Sequence, residues 1–165
     1  MTTDTESLAA PFHAIAGSGL QEVWWIGGRV SIKATGAQTG GRLGTWEFHA
    51  RRGAVTPMHV HHREDEYFVV VEGTASFFVG DERFDASSGD FVFLPREIPH
   101  AYLITSEWAR VIGMVTPAGH ESFFTELGTP VVPGEPEAPP PSVEAMAAGM
   151  VRHGGEILGP PPTLE

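Results

Sequence analysis

Three histidines and three acidic side chains fall between His59 and Glu66, inside the stretch GAVTPMHVHHREDEYFVVVEG (residues 53–73), and apolar sequence follows at once. Such groups are costly beside a core unless something pairs with them. In an extended strand, alternate side chains share a face, so His59 and His61 point one way and His62 the other. Reading residues 62–65 as the loop of a hairpin sets residue 61 opposite residue 66, with paired Cβ atoms roughly 5 Å apart. His59, His61 and Glu66 then converge on a face shared with Phe68 and Val70. His62, Arg63, Glu64 and Asp65 fall in the turn, where charge is unremarkable. Imidazole and carboxylate donors suit one divalent transition metal ion, whether Fe, Mn, Ni, Co, Cu or Zn. A further donor comes from GDFVFLPREIPHAYLI (residues 89–104), where a strand and a Pro-bounded turn lead to His100 at the head of another strand. The expected metal site is His59, His61, Glu66 and His100.

Short β-type segments must carry these residues. From Glu22 to Val115 the chain breaks at Gly, Pro and Asp into runs over 22–26, 28–35, 43–50, 55–61, 66–72, 74–79, 82–86, 91–94, 100–105 and 108–116. This regular spacing predicts an all-β sandwich or barrel, and 20 Gly with 14 Pro favour turns over long helices. After Pro117, Phe123, Phe124 and Leu127 form a helical stripe, with Gly128 as its stop. A Pro-rich connector follows, and then Val143, Met146, Ala147, Met150 and Val151 at helical spacing, between Ser142 as cap and Gly154 as stop. The expected division is a loose tail over 1–10, a barrel with its following helix over 11–128, and over 129–165 a connector and a helix packed on the barrel.

The chain has 165 residues, enough for one domain with a sizeable core, and is 41% hydrophobic and 19% charged. A formal charge of −11 with ten scattered Lys and Arg opposes nucleic-acid binding. No apolar run is long enough to cross a membrane. The absence of cysteine removes thiolate ligands, disulfides and Cys nucleophiles together. The N-terminus has no basic start and no apolar segment, so a cytoplasmic protein is expected.

Gly53, His59, His61, Glu66 and Gly73 match the first motif of the cupin superfamily at every position, and Gly89, Pro95 and His100 match the second. Two positions depart from the pattern. Glu97 stands where the second motif carries glycine, and Ile104 where it carries asparagine. TGGRLGTWEF, FVFLPREIPHAY, TPAGHESFFTELG and EILGPPP further resemble the bacterial single-cupin proteins similar to quercetin 2,3-dioxygenase. The resemblance implies an all-β cupin fold, a double-stranded β-helix or jelly-roll barrel with short C-terminal helices packed on it, and a homodimer. It also implies an O₂-dependent opening of a flavonol ring with release of carbon monoxide. Carried over, His59, His61, His100 and Glu66 hold the metal, and Glu66 serves as general base on the substrate hydroxyl.

A flat aromatic substrate needs an apolar wall. Trp46 and Phe48 share one face of their strand, and with Phe68, Phe91 or Phe93, and Tyr102 they are the expected substrate-binding residues. His49 is expected to face away. His13, His120 and His153 have no visible partner. Glu97 is read as a solvated carboxylate near the barrel mouth, and Glu72 as exposed. The same motifs are compatible with a metal-dependent cupin that does no oxidation, an isomerase, cyclase or lyase on a polyketide-like or sugar-like molecule. A small-ligand sensor is a third reading, weakened by the lack of a DNA-reading domain.

Overall fold

A computed structural model describes residues 10–163, so the expected tail lies almost wholly outside the described residues. Twelve strands and three short helices alternate in it. They are β1 (Glu22–Trp25), β2 (Gly28–Ala34), α1 (Gly36–Thr39), β3 (Gly44–Arg51), β4 (Met58–His61), β5 (Asp65–Glu72), β6 (Thr74–Val79), β7 (Glu82–Ser87), β8 (Phe91–Leu94), β9 (His100–Ile104), β10 (Trp108–Thr116), α2 (Glu121–Leu127), β11 (Thr129–Pro130), α3 (Val143–Arg152) and β12 (Gly155–Gly159). A seven-stranded sheet runs β11-β1-β2-β3-β10-β5-β8, and a five-stranded sheet runs β12-β4-β9-β6-β7. The pairings are antiparallel. This is the all-β barrel that the spacing of the strands predicted, with the jelly-roll form that the resemblance implied.

Alternation fills the space between the sheets. β5 turns Glu66, Phe68 and Val70 inward, and β10 turns Ala109, Val111 and Val115 inward. Trp46 pairs with Gly113 across β3 and β10. A Cβ at position 113 would sit inside the indole of Trp46, so glycine there makes room for the largest side chain of the core. Among the described residues no helix is long and apolar enough to cross a membrane.

Two local expectations are corrected. β4 and β5 are not a hairpin: β4 pairs with β12 and β9, while β5 pairs with β10 and β8 in the other sheet. Residues 62–64 carry the chain from one sheet to the other. Period-two alternation reports which face a side chain takes, and it says nothing about which strand lies beside it. The second correction concerns the C-terminal segment, which is more than a helix laid on the barrel. After α3, residues 155–159 return as β12 and cover the edge of β4.

The buried face of α3 is Met146, Gly149 and Met150, while Val143 and Val151 are exposed. A Cβ on Gly149 would stand 2.6 Å from Leu127 and 2.9 Å from Phe123. The close approach of α3 to α2 therefore turns the helix about its axis relative to the stripe expected from hydrophobicity. The hydroxyl of Ser142 accepts from the Ala145 N–H at 3.2 Å, the expected cap. On α2, Phe123 and Phe124 meet Trp25 edge-on, with ring centres 5.3 and 5.2 Å apart, which fastens the helical cap to the seven-stranded sheet.

Candidate metal centre

β4 and β9 lie side by side with His59 opposite His100, and Glu66 faces them across the interior from β5. One donor atom from each of His59, His61, Glu66 and His100 lies within 4.8 Å of every other, and all four residues are buried. Convergence is thus reached across the barrel, with His61 and Glu66 on opposite sheets.

The backbone fixes two of the rings. His59 Nδ1 lies 2.8 Å from the Pro57 carbonyl, and His100 Nδ1 lies 2.9 Å from the Ile98 carbonyl. A carbonyl only accepts, so Nδ1 carries the proton in both rings and Nε2 keeps its lone pair for the centre. Glu66 Oε2 stands 3.3 Å from His100 Nε2 and 3.9 Å from His61 Nε2.

His100 Nε2 and both ring nitrogens of His61 are buried without a hydrogen-bond partner. Buried polar atoms of this kind call for a partner, and lone pairs facing a carboxylate at these distances fit a divalent cation. Protonation agrees with the fit. Burial first, then the neighbouring His100, lowers the His59 pKa to about 3. Burial, followed by the charges of His120 and His59, holds His61 well below the ordinary histidine range. Burial and then the Glu66 charge push the Tyr102 phenol far above its ordinary range, so it stays neutral.

Among the aromatics expected to bind substrate, Trp46, Phe48 and Phe68 are buried in the core. Trp46 meets Phe68 edge-on, and Phe68 and Phe48 pack on Tyr102 at 5.4 and 5.9 Å. Phe93 does not face the interior: it is 46% exposed and stacked on Tyr67 outside the barrel. The phase of β8 is the reason, since Val92 and Leu94 take the inner face, and Phe91 is outside as well. A cavity of about 40 Å³ abuts His59, and its wall includes Trp25, Thr56, Tyr102, Phe124, Met146 and Met150. Tyr102 is the member of the expected set that borders it.

Two residues near the centre were missed. His120, read as partnerless, is buried with its ring centre 4.2 Å from that of His61 and stacked on Phe123. Its spacing was a signal, because 120, 123, 124 and 127 lie on one helical stripe. Burial holds its imidazole well below the ordinary range, with the charge of His59 adding to the effect. Glu64, read as part of a solvated turn, is 1% exposed with neither carboxylate oxygen hydrogen-bonded. Burial raises its pKa, opposed by the nearby Arg63.

Other residues lie as expected. Glu97 and Glu72 are exposed, and His49 is exposed and stacked on Trp108. Glu97 holds His62 Nδ1 at 2.8 Å and has φ 65. The backbone thus keeps the left-handed turn that glycine serves in the motif, at a cost of about 1–2 kcal/mol. His153 pairs with Glu126 at 2.7 Å beside α3.

Residues 46–114 match the cupin domain family. Over 84 residues, 48% of this chain and 25% of the relative, the sequence is 30% identical to a quercetin 2,3-dioxygenase of Bacillus subtilis. Over 92 residues, 53% of this chain and 26% of the relative, it is 30% identical to one from Aspergillus japonicus. The chain thus spans about a quarter of the length of these curated relatives. Among solved structures, KdgF from Halomonas sp. is 25% identical with a TM-score of 0.53, over 58% of this chain and 84% of that one. An RmlC-like cupin from Shewanella frigidimarina superposes with a TM-score of 0.59 over 68% of this chain and 96% of that one. At 18% identity the latter speaks for the fold alone.

Proposed function

Because the chain is a member of the cupin superfamily, similar over part of its barrel to quercetin 2,3-dioxygenases, we propose that it is a metal-dependent dioxygenase that opens a flavonol such as quercetin, or a related phenolic, with O₂. The observation that carries the reading is the convergence of three imidazoles and one carboxylate on a buried point. Two of those rings have their tautomers set by backbone carbonyls. A divalent cation held by His59, His61, His100 and Glu66 supplies Lewis acidity toward a bound hydroxyl.

The remaining roles belong to the chain. Glu66 takes the hydroxyl proton of the substrate on the carboxylate that faces the imidazoles. Tyr102, kept neutral, borders the cavity and can donate a hydrogen bond to a substrate oxygen. The apolar wall from Trp25, Phe124, Met146 and Met150 keeps water from the deprotonated substrate.

Drug-sized ligands occupy pockets of about 300–1,000 Å³, whereas the cavity beside His59 measures about 40 Å³. In this reading α2 and α3 move outward to admit a flavonol. The same dimension favours a second reading, non-oxidative turnover of a smaller polyketide-like or sugar-like molecule by the same four residues. Metal analysis of the purified chain, joined to an oxygen electrode with quercetin, tests both. Oxygen uptake with a ring-opened depside supports the dioxygenase. Turnover of a small molecule under strict anaerobiosis, with no uptake on quercetin, replaces it with the second reading.

A further inference from the structure

Two of the three ligand imidazoles are braced from behind by a carbonyl two residues earlier in the chain, Pro57 for His59 and Ile98 for His100. His61 has no such brace: its Nδ1 is buried with no hydrogen-bond partner, while its Nε2 is the nitrogen 3.9 Å from Glu66. The ring nevertheless has to keep one orientation and one tautomer if Nε2 is to serve the centre.

The groups behind His61 are unusual for a protein interior. His120 lies with its ring centre 4.2 Å from that of His61 and steeply inclined to it, at 81°, and its own Nδ1 is buried and unpartnered. Glu64 is buried with neither oxygen hydrogen-bonded; Oε1 has Arg63 Nε at 3.9 Å and lies 3.6 Å from the point where a Cβ on Gly119 would stand. Gly119 immediately precedes His120, so the acid lies against the turn that leads into the outer imidazole, with Arg63 and His153 among its charged neighbours. The Gly154 carbonyl accepts from the His62 N–H at 2.9 Å. Apart from the nitrogens facing the centre, His61 Nδ1, His120 Nδ1 and the two Glu64 oxygens make up the unpartnered buried side-chain atoms among the described residues. They are complementary, because a carboxylate accepts what an imidazole N–H offers.

We propose that Glu64 and His120 are positioning residues for the metal centre, supplying to His61 Nδ1, directly or through one water, the support that backbone carbonyls give to His59 and His100. The inference rests on the reading of the four converging residues as a metal centre. Glu64 precedes Glu66 by two residues, so one short segment buries both carboxylates. His120 comes from the head of α2, which ties the orientation of His61 to the helical cap.

The test uses the full chain, stripped of metal and titrated with Co²⁺, in the wild type and in Glu64→Gln, Glu64→Ala and His120→Gln. Partners of this kind govern metal affinity by about 10- to 100-fold. Each variant is expected to bind Co²⁺ that much more weakly by chelator competition, with altered visible absorption, while Glu64→Gln melts in the metal-free state at or above the wild-type temperature. A long-range ¹H–¹⁵N spectrum of the metal-free wild type is expected to show His61 protonated at Nδ1, with the tautomers mixed in Glu64→Ala. Co²⁺ binding by the wild type with unchanged affinity and spectrum in all three variants would overturn this proposal alone. A His61 protonated at Nε2 in the wild type would overturn it as well. Absence of Co²⁺ binding by the wild type would sink the metal reading and this one with it.

Discussion

Acid should unfold the metal-free chain early, and the buried histidines set how early. His59, His61 and His120 have an ordinary pKa of 6.5, and in the folded chain burial lowers the first to about 3 and the other two well below that ordinary value. Above about pH 6.5 all three are neutral folded or unfolded, and their stability is intact. Below it the unfolded chain takes up protons that the folded chain refuses, so stability is lost as pH falls toward the folded values. Each group removes about 1.4 kcal/mol per pH unit in that window, and the three together remove about 4 kcal/mol per unit. Glu64 opposes this, since its raised pKa makes the folded state the stronger proton binder. It returns up to about 1.4 kcal/mol per unit while it titrates. A domain of ordinary stability, about 5–15 kcal/mol, is then expected to unfold between about pH 5 and pH 3. Urea unfolding with a chelator present, followed by tryptophan fluorescence at half-unit pH steps, measures the slope. In Glu64→Gln, which removes the opposing carboxyl, a slope below about 1.4 kcal/mol per unit between about pH 6 and 5 would mean that no more than one of these imidazoles is held neutral, and the electrostatic account of the centre would fall.

Three further outcomes follow from particular contacts. Glu66→Gln keeps the size of the side chain but removes the base, so turnover should drop by about 10²–10⁴-fold with the circular dichroism spectrum unchanged; full-rate turnover would remove Glu66 from the chemistry. Met150→Ala, at a buried position in the cavity wall, should cost about 2–5 kcal/mol by urea unfolding. It should also lower KM for bulky phenolics relative to small ones, and an unchanged KM ratio would place substrate elsewhere. Glu97→Gly relieves a left-handed non-glycine residue and gives up only an exposed pair with His62. Its melting temperature should rise, by a net gain of no more than about 1 kcal/mol.

How much of this was legible depended on what each signal reports. Strand alternation places His59 with His61, and Glu66 with Phe68, on inner faces, because facing is a local property of the chain. Pairing is not local. The same residues allow a hairpin at 62–65, and the structure instead sends β4 and β5 to different sheets. The error over Phe93 has a similar root: FVFL is apolar at every position, so hydrophobicity cannot choose between the Phe91/Phe93 face and the Val92/Leu94 face. Glu64 was invisible for the opposite reason. An acid between Arg63 and Asp65 reads as surface, and only the crossing of the chain between sheets buries it. The sequence announced the left-handed turn at Glu97 only through the glycine of the motif.

The division of the site between the stretch that matches the cupin domain family and the segments outside it bears on what the resemblance can support. All four converging residues lie within the stretch 46–114 that matches the cupin domain family. Most of the cavity wall does not: Trp25 precedes that stretch, and Phe124, Met146, Met150 and Ile157 follow it. The donor cluster and most of the cavity wall therefore come from different parts of the chain. Likeness to the quercetinases is an argument about the first. The second is set by a cap whose close approach depends on Gly149 and whose final strand pairs with β4 beside His59 and His61. α3 leads within three residues into β12, which pairs with the strand that holds His59 and His61. If substrate enters beneath this cap, its admission and the geometry of the centre are linked through β12. A variant that loosens the cap, such as Met150→Ala, should accordingly alter the Co²⁺ absorption of the centre as well as the size of molecule it accepts.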